Sequence, residues 1–276
     1  MKNLFLGKII LVNMSNKNFI DYIIVPMAGL GTRFQKSNFK TIKPIILVDD
    51  KSILEKSLMD LPKAKDKFII LNEKIYYKYP VIEKIFKKNK LNKILLKKPT
   101  LGQADTVYKT KEFLNHNKSA LVHSCDYILK FSEKKLKKLT SNYDIIIFVH
   151  KLRSRIVKNY KDFAYCKINK KNNRVNQIVE KKTISEKPWN DFIIVGTFWF
   201  NKIGLFYNSQ DIAKKKKQTI SGEFYVANNI NNLIKKNYKV SFFEVDEWIN
   251  LGDYFDYQQY IYWKNYFLKN KNLLEC

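Results

Sequence analysis

Short apolar runs alternate with longer amphipathic stretches along the chain as far as His150. The runs are rich in Ile, Val and Phe, which is typical of buried strands. The predicted strands are Tyr22–Val25, Lys67–Leu71, Lys93–Leu96, Ala120–Val122 and Ile145–Val149. The predicted helices are Ile53–Leu61, Ile75–Phe86, Gln103–Leu114 and Ser132–Leu139. This alternation predicts a parallel α/β sheet with helices on both faces.

Beyond Phe163 the apolar runs lie closer together, which favours hairpin-like pairing added to the sheet. These runs are Phe163–Ile168, Arg174–Glu180 and Phe192–Phe200, with a turn at Lys170–Asn173. A helix at Glu223–Lys236, a strand at Val240–Val245 and a helix at Tyr254–Leu268 follow. We predict an α/β fold with a Rossmann-like, doubly wound mixed sheet, an added β-hairpin and a C-terminal helix. It forms a single domain over residues 18–276, after an N-terminal extension of residues 1–17.

The chain carries 52 basic and 25 acidic residues, a formal net charge of +27. Nearly all of the excess is Lys, because the only arginines are Arg33, Arg153, Arg155 and Arg174. The lysines are spread through every segment, whereas a nucleic-acid site would concentrate charge and include Arg. We therefore expect no nucleic-acid partner, although the positive field should attract polyanions such as nucleoside triphosphates.

Cysteine spacing and hydropathy point to the cytoplasm. Cys125, Cys166 and Cys276 have neither metal-ligand spacing nor an even-numbered framework, which suits a reducing compartment. No segment reaches the roughly 18 to 20 apolar residues that cross a bilayer, so we expect no membrane insertion. The stretch Met1–Met14 is a poor signal peptide, and Met14 stays open as an alternative start.

A glycine-rich turn follows the first predicted strand and holds the first candidate site. Its glycines would let backbone N–H groups approach phosphate oxygens, and Arg33 would offer a planar fork to the same oxygens. A dinucleotide site or a plain turn fits these glycines as well, but the third glycine of the dinucleotide motif is absent, and so is a Walker Gly-Lys-Ser/Thr. Lys43-Pro44 follows ten residues after Arg33 and would bring a second cation to the phosphates.

Asp126 lies just beyond the strand Ala120–Val122. A carboxylate at the C-terminal end of a parallel strand lies where α/β sheets bind ligands, and it suits Mg²⁺. Two other motifs are ambiguous by themselves: Gly102-Gln103 fits an ordinary helix start with Thr100 as N-cap, and Glu180-Lys181 fits a solvated surface pair.

In their order along the chain these motifs resemble the sugar-phosphate nucleotidyltransferase family, from about Asp21 to Tyr260. The resemblance implies a fold of the nucleotide-diphospho-sugar transferase type and a single in-line displacement. In that reaction the acceptor phosphate attacks the α-phosphorus of a nucleoside triphosphate, and pyrophosphate leaves. Mg²⁺ is the implied cofactor, and Mn²⁺ is expected to substitute for it.

The resemblance also implies roles for individual residues. The implied catalytic cations are Arg33, Lys43 and Lys181. The implied nucleotide-binding residues are Met27, Ala28, Gly29, Gly31, Thr32, Gly102, Gln103 and Cys125. The implied acceptor-binding residues are Glu180, Gly196, Glu223, Arg153 and Arg155.

The implied metal ligands are Asp126 and Asn250, and the second departs from the family pattern. The family has Asp within Trp-x-Asp-x-Gly-Thr, where this chain has Asn250 in Trp248-Ile249-Asn250-Leu251-Gly252-Asp253. An amide offers an oxygen without a charge, so a two-carboxylate site is in doubt and the number of metal ions stays open. We expect Asn250→Asp to be tolerated.

Within the family, the chain most closely resembles the cytidylyltransferases of capsule and surface-glycan pathways, and among these the CTP:phosphoglutamine type. The implied substrates are CTP and L-glutamine phosphate, with CDP-L-glutamine as product. Phosphocholine or a hexose 1-phosphate is the alternative acceptor. A catalytically inactive nucleotide-binding regulatory protein is a second alternative, favoured by Asn250, and assembly as a homodimer is left open.

Overall fold

The structure is a computed structural model that describes residues 18–29, 41–153, 159–169 and 171–270. Its strands are β1 Ile20–Met27, β2 Leu47–Val48, β3 Lys51–Ser52, β4 Ala64–Asn72, β5 Asn92–Leu96, β6 Ala120–His123, β7 Tyr127–Lys130, β8 Ile145–Lys151, β9 Ala164–Asn169, β10 Arg174–Glu180, β11 Phe192–Phe200, β12 Val240–Glu244 and β13 Glu247–Asn250. Its helices are α1 Ile53–Met59, α2 Glu73–Lys78, α3 Val81–Asn89, α4 Gln103–Tyr108, α5 Glu133–Thr140, α6 Ile203–Lys215, α7 Val226–Ile234 and α8 Tyr254–Lys269.

Nine of the strands form one mixed sheet in the order β5-β4-β1-β6-β11-β8-β12-β10-β9. Strand β1 runs parallel to both β4 and β6, and β8 runs parallel to β12. Alternate residues of β1 enter different hydrophobic clusters, since Ile24 packs in one and Ile23 and Val25 in the other. The sheet is therefore covered by core on both faces, and the predicted mixed α/β architecture is confirmed.

The predicted hairpin is present, because β9 and β10 pair antiparallel from Arg174–Asn169 to Glu180–Ala164. The sequence grouped strand β11 with the added hairpin, but the structure places it elsewhere. It runs antiparallel between β6 and β8, in the middle of the sheet. Seven of its nine residues are buried, and a strand that is apolar on both faces is stable only where both faces are covered.

Three predicted helices differ from the structure by more than two residues at one end, and the others by one or two residues. The stretch Ile75–Phe86 is divided between α2 and α3, because Pro80 lacks an N–H and restricts the residue before it. Helix α4 ends at Tyr108, and Thr110 then donates its hydroxyl to the Val107 carbonyl at 2.7 Å, a contact that competes with continued helix. Helix α7 begins at Val226, after a β-bridge between Ile220 and Glu223.

Two small sheets, β2–β3 and β7–β13, were not predicted. Strand β13 pairs antiparallel with β7, which places Asn250 opposite Tyr127. Helix α8 follows β13, and its Tyr257 and Ile261 pack against a small cluster that contains Ile128 and Leu251. These elements therefore hold the C-terminal part of the chain beside the carboxyl end of β6.

None of the helices in the described ranges is both long enough and apolar enough to span a membrane.

Candidate active site

Asp126 and Lys43 form an ion pair at the carboxyl edge of the sheet. Asp126 follows β6 and is 7 % exposed, and Lys43 begins a short 3-10 turn with Pro44 next to it. The Lys43 ammonium lies 2.5 Å from Asp126 Oδ2 and 3.2 Å from the carbonyl oxygen of Gly252. Ser124 donates its hydroxyl to Asp126 Oδ1 at 2.7 Å. Two residues from separate sequence motifs, one a predicted cation and one a predicted metal ligand, therefore meet in the structure.

Asn250 lies beside this pair. Gly252 N donates to Asn250 Oδ1 at 2.7 Å, and Leu251 N donates to the Asp126 carbonyl at 2.9 Å. A Cβ added at Gly252 would lie 2.7 Å from Asn250 Oδ1 and 3.1 Å from Asp126 Oδ2. The two side-chain oxygens thus border one small gap that only a glycine leaves open.

The donor set around this gap fits Mg²⁺. Magnesium prefers oxygen ligands and commonly takes one or two carboxylates, with water and substrate phosphates completing its shell. Asp126 and Asn250 together offer one charged and one neutral oxygen donor. The described ranges contain no group of three His, Cys, Asp or Glu residues placed to hold a metal ion. Metal binding at Asp126 and Asn250 stays a prediction.

The turn after β1 lies at the point where the strand order changes direction, between β4 and β6. Open α/β sheets bind ligands at such a point. Met27 and Ala28 are buried there, and no atom of the described residues lies within 4 Å of where a Cβ on Gly29 would lie. The predicted phosphate-binding residues Gly31, Thr32 and Arg33 fall outside the described residues.

The turn at Gly102 begins α4, with Gly102 itself as N-cap at φ 93°, so the N-cap reading of Thr100 is wrong. Only glycine adopts this φ readily. A Cβ at Gly102 would lie 2.9 Å from the Phe224 carbonyl oxygen. Phe224 N donates to Leu101 O at 2.8 Å, and Ala104 N donates to Phe224 O at 3.0 Å. The predicted base-binding turn, Gly102-Gln103, is therefore fastened to the segment that carries Glu223.

Lys181 and Glu223 come together through a residue that the sequence did not single out, Tyr225. Lys181 has a positive φ of 52°, and its ammonium lies 4.7 Å from the centre of the Tyr225 ring. Tyr225 donates its hydroxyl to Glu223 Oε2 at 2.6 Å. Tyr225 lies directly beside Glu223 in the chain, but a tyrosine in an aromatic-rich sequence gives no signal of its own.

Glu180 ends β10 and points one carboxylate oxygen into a shielded position. Its Oε2 is inaccessible to solvent and has no hydrogen-bond partner within the part of the chain that the structure describes, although the residue as a whole is half-buried. Burial raises the pKa of Glu180 to about 7, and the neighbouring Lys181 charge opposes that shift. A buried polar atom without a partner is costly, so this oxygen is suited to receive a ligand group.

Gly196 contacts the segment that carries Asp126, whereas Arg153 is exposed and lies near Glu244. Gly196 has φ 65°, and a Cβ there would lie 2.7 Å from the Tyr127 ring, so the glycine admits that ring between β11 and the Asp126 segment. The Arg153 side chain is 74 % exposed and lies 3.9 Å from Glu244. No contact in the described ranges links Arg153 to Glu180, and Arg155 falls outside them.

Cys125 and His123 are structural neighbours of Asp126. Burial raises the pKa of the Cys125 thiol to about 12, which keeps it protonated and unreactive. Burial lowers the pKa of His123 to about 4, and its Nδ1 lies 2.8 Å from the Thr197 hydroxyl. Cys125 can therefore line a nucleotide pocket but not act as a nucleophile, and His123 is a neutral core residue.

The fold defines a class of protein, the α/β proteins with an open mixed sheet, which bind ligands along the carboxyl edge of that sheet. A sequence profile described as Nucleotidyl transferase matches residues 23–263 of the chain. The chain therefore belongs to the Nucleotidyl transferase family and is a nucleotidyltransferase.

Several solved structures share this fold. The nucleoside-diphosphate-sugar pyrophosphorylase of Vibrio cholerae RC9 has a TM-score of 0.68 and 20 % identity, over 86 % of this chain and 98 % of its own. The inositol-1-phosphate CTP transferase of T. maritima has a TM-score of 0.66 and 16 % identity, over 87 % of this chain and 92 % of its own. HddC of Yersinia pseudotuberculosis has a TM-score of 0.61 and 18 % identity, over 87 % of this chain and 97 % of its own. A search of curated proteins found no significant match.

Proposed function

We propose that the protein transfers CMP from CTP to L-glutamine phosphate, giving CDP-L-glutamine and pyrophosphate. The observation that carries this proposal is the shielded Glu180 oxygen next to Lys181. An acceptor with both a phosphate and an ammonium group would satisfy both side chains, the phosphate at Lys181 and the ammonium at Glu180.

The candidate acceptors differ in how well they could bind Glu180 Oε2, which has no hydrogen-bond partner in the described ranges. A primary ammonium donates three hydrogen bonds and carries a charge, so it can meet a shielded carboxylate oxygen directly. The quaternary ammonium of phosphocholine has no N–H and is recognised by aromatic faces instead. Hexose hydroxyls donate hydrogen bonds but leave the carboxylate charge unneutralised. These differences favour an amino-acid phosphate over both alternatives.

Catalysis in this proposal depends on positioning and charge neutralisation, without a covalent intermediate. Asp126 and Asn250 would hold Mg²⁺, which when bound neutralises the triphosphate. Lys43 is already drawn to this point by Asp126 and can neutralise phosphate oxygens there once a cation takes its place on the carboxylate. Lys181 holds the acceptor phosphate, and Gly102-Gln103 lies against the base.

The choice of CTP and a role in surface-glycan modification follow from the resemblance to capsule-pathway cytidylyltransferases. A cytoplasmic setting follows from the spacing of the cysteines. The fold itself accommodates more than one nucleotide, since the solved structures with this fold include both a sugar pyrophosphorylase and a CTP transferase. Cytosine presents an amine donor where uracil presents an acceptor, so a single well-placed carbonyl would select between them.

A matrix of substrates tests the proposal. The four common ribonucleoside triphosphates and dTTP are each combined with L-glutamine phosphate, phosphocholine, glucose 1-phosphate and mannose 1-phosphate, and pyrophosphate release is measured. We expect the highest kcat/KM for CTP with L-glutamine phosphate. Turnover of a hexose 1-phosphate alone would refute the acceptor assignment, and absence of pyrophosphate with every pair would favour the regulatory alternative.

A further inference from the structure

The orientation of the Asn250 amide is fixed by its two neighbours. Gly252 N can only donate, and it donates to Asn250 Oδ1 at 2.7 Å. The Asp256 carboxylate can only accept, and it accepts from Asn250 Nδ2. Asn250 therefore presents its oxygen on the side of Gly252 and Asp126, and its NH₂ group on the side of α8.

Asp256 lies in the first turn of α8 and is held there by the helix cap. Asp253 accepts from Asp256 N at 2.9 Å as the N-cap residue. The contact between Asp256 and Asn250 spans six positions of the chain, across the turn from β13 to α8. A helix start near a strand end gives no sign in the sequence that the two side chains touch.

The same contact explains why position 250 carries an amide. An aspartate there would accept from Gly252 N with one oxygen and meet the Asp256 carboxylate with the other, and two carboxylates in contact repel each other. Asn250 and Asp256 together carry one negative charge at the place where the family pattern has one aspartate.

We propose that Asp256 is a positioning residue of the metal site. It holds the Asn250 amide with Oδ1 turned toward the gap beside Asp126, and its negative charge polarises that amide so that Oδ1 becomes a stronger donor to a cation. Hydrogen-bonding partners behind a metal ligand commonly contribute about 10- to 100-fold to metal affinity. The inference rests on the Mg²⁺ use in the proposed function, but on neither the nucleotide nor the acceptor.

The test measures metal binding without turnover. Nucleotide-free protein is titrated with Mn²⁺, and the unbound ion is followed by its electron paramagnetic resonance signal. We compare the wild type with Asp256→Asn, Asn250→Asp and the double variant Asn250→Asp/Asp256→Asn. Glu247→Gln is the matched control, because it removes a carboxylate from the same strand as Asn250, where Glu247 pairs with the surface residue Lys130.

We expect Asp256→Asn to weaken Mn²⁺ binding by about 10-fold. The double variant should bind at least as well as the wild type, because it returns the charge to position 250 and keeps the hydrogen bond. Asn250→Asp alone should lower the melting temperature of the metal-free protein, and Mn²⁺ should restore it. This last expectation replaces the view from the sequence that Asn250→Asp would be tolerated.

Wild-type affinity in Asp256→Asn, or a double variant as weak as Asp256→Asn, would overturn the inference. If Asp256→Asn does not fold, the affinity of the double variant decides by itself. Absence of saturable Mn²⁺ binding to the wild type would remove the metal site and this inference with it. Failure of the substrate matrix with intact Mn²⁺ binding would instead refute the proposed substrates and leave the role of Asp256 standing.

Discussion

We call the surroundings of Asp126, the proposed metal ligand, the metal side, and those of Glu180 the acceptor side. Asp126 forms an ion pair with Lys43 at 2.5 Å and accepts a hydrogen bond from Ser124 at 2.7 Å. Glu180 Oε2 is shielded from solvent and has no hydrogen-bond partner in the described ranges. Both are acidic residues at the end of a strand of the central sheet, Asp126 after β6 and Glu180 in the last position of β10. Lys43 neutralises the charge of Asp126, whereas no described residue contacts Glu180 Oε2 through a hydrogen bond.

This difference suggests different roles for Asp126 and Glu180 in the proposed function. The contacts of Asp126 with Lys43 and Ser124 are already formed without a ligand, as the proposed function requires of groups that serve the same phosphate chemistry with every acceptor. In the proposed function the acceptor supplies the partner that Glu180 Oε2 lacks in the described ranges, and this contact would discriminate between acceptors. Substitutions on the metal side should therefore lower turnover and stability. Substitutions on the acceptor side should change the acceptor affinity and its dependence on pH.

The largest effect is expected for Asp126→Asn. Loss of the carboxylate should lower kcat by roughly 10²- to 10³-fold, because charge stabilisation of the reacting phosphates is lost. Pyrophosphate release at saturating substrates measures it, and Asp246→Asn, an exposed aspartate, is the control. Near wild-type turnover in a folded Asp126→Asn protein would place the metal elsewhere.

Lys43→Met tests whether the metal side is a coupled unit. Both side chains of the Lys43–Asp126 pair are about nine-tenths buried, and breaking such a pair from one side commonly costs about 3–5 kcal/mol. We expect each single variant to lower the free energy of unfolding by that order, and the double variant Lys43→Met/Asp126→Asn to lose less than the sum. Denaturant unfolding measures this, and additive losses would mean that the pair is not coupled.

Glu180→Gln tests the acceptor side. The amide keeps the shape but loses the charge, so the KM for the acceptor should rise by about 10- to 100-fold, the worth of a hydrogen bond to a charged group, with kcat little changed. Glu186→Gln, on the exposed loop that follows, should leave the KM unchanged. An equal fall in kcat with no change in KM would give Glu180 a part in the chemical step instead.

The raised pKa of Glu180 predicts two pH dependences. Only the ionised carboxylate attracts an ammonium, so the KM for the acceptor should fall as the pH rises through about 7, and Glu180→Gln should lack this fall. A carboxyl whose pKa is raised from 4.5 in the unfolded chain stabilises the fold when protonated. That contribution is lost as the pH rises from about 4.5 to about 7, and unfolding experiments on both proteins over this range should reveal it.

A further prediction concerns stability at the Gly102 turn, which is fastened to the segment that carries Glu223. Gly102→Ala places a Cβ 2.9 Å from the Phe224 carbonyl oxygen at a positive φ, and should cost about 1–3 kcal/mol from crowding in addition to the backbone strain. Gly222→Ala is the matched control, because its φ is also positive, at 81°, but no atom of the described ranges lies within 4 Å of the added Cβ. The free energy of unfolding of Gly222→Ala should fall by only about 1 kcal/mol, from backbone strain. Equal melting temperatures for the two variants would contradict the close approach at Gly102.

The sequence by itself determined the strands β1, β4, β6 and β8, the hairpin β9–β10, and the candidate residues at the strand ends. Each of these is local, because an apolar run records the burial of its own strand, and the residue after a parallel strand lies at the ligand edge wherever the strand is placed. The break between two helices at Pro80 was also predictable from the sequence, although the helix prediction missed it, because proline disfavours helix at the residue before it.

Only the tertiary structure decided which of these residues meet. The pairing of β13 with β7 brings Asn250 beside Asp126 across more than a hundred residues, and Tyr225 joins Lys181 to Glu223. The central position of β11 and the contact of Asp256 with Asn250 are of the same kind. Short strands and single side chains have no periodicity that records a distant partner, so their contacts follow from how the whole core packs rather than from any local pattern.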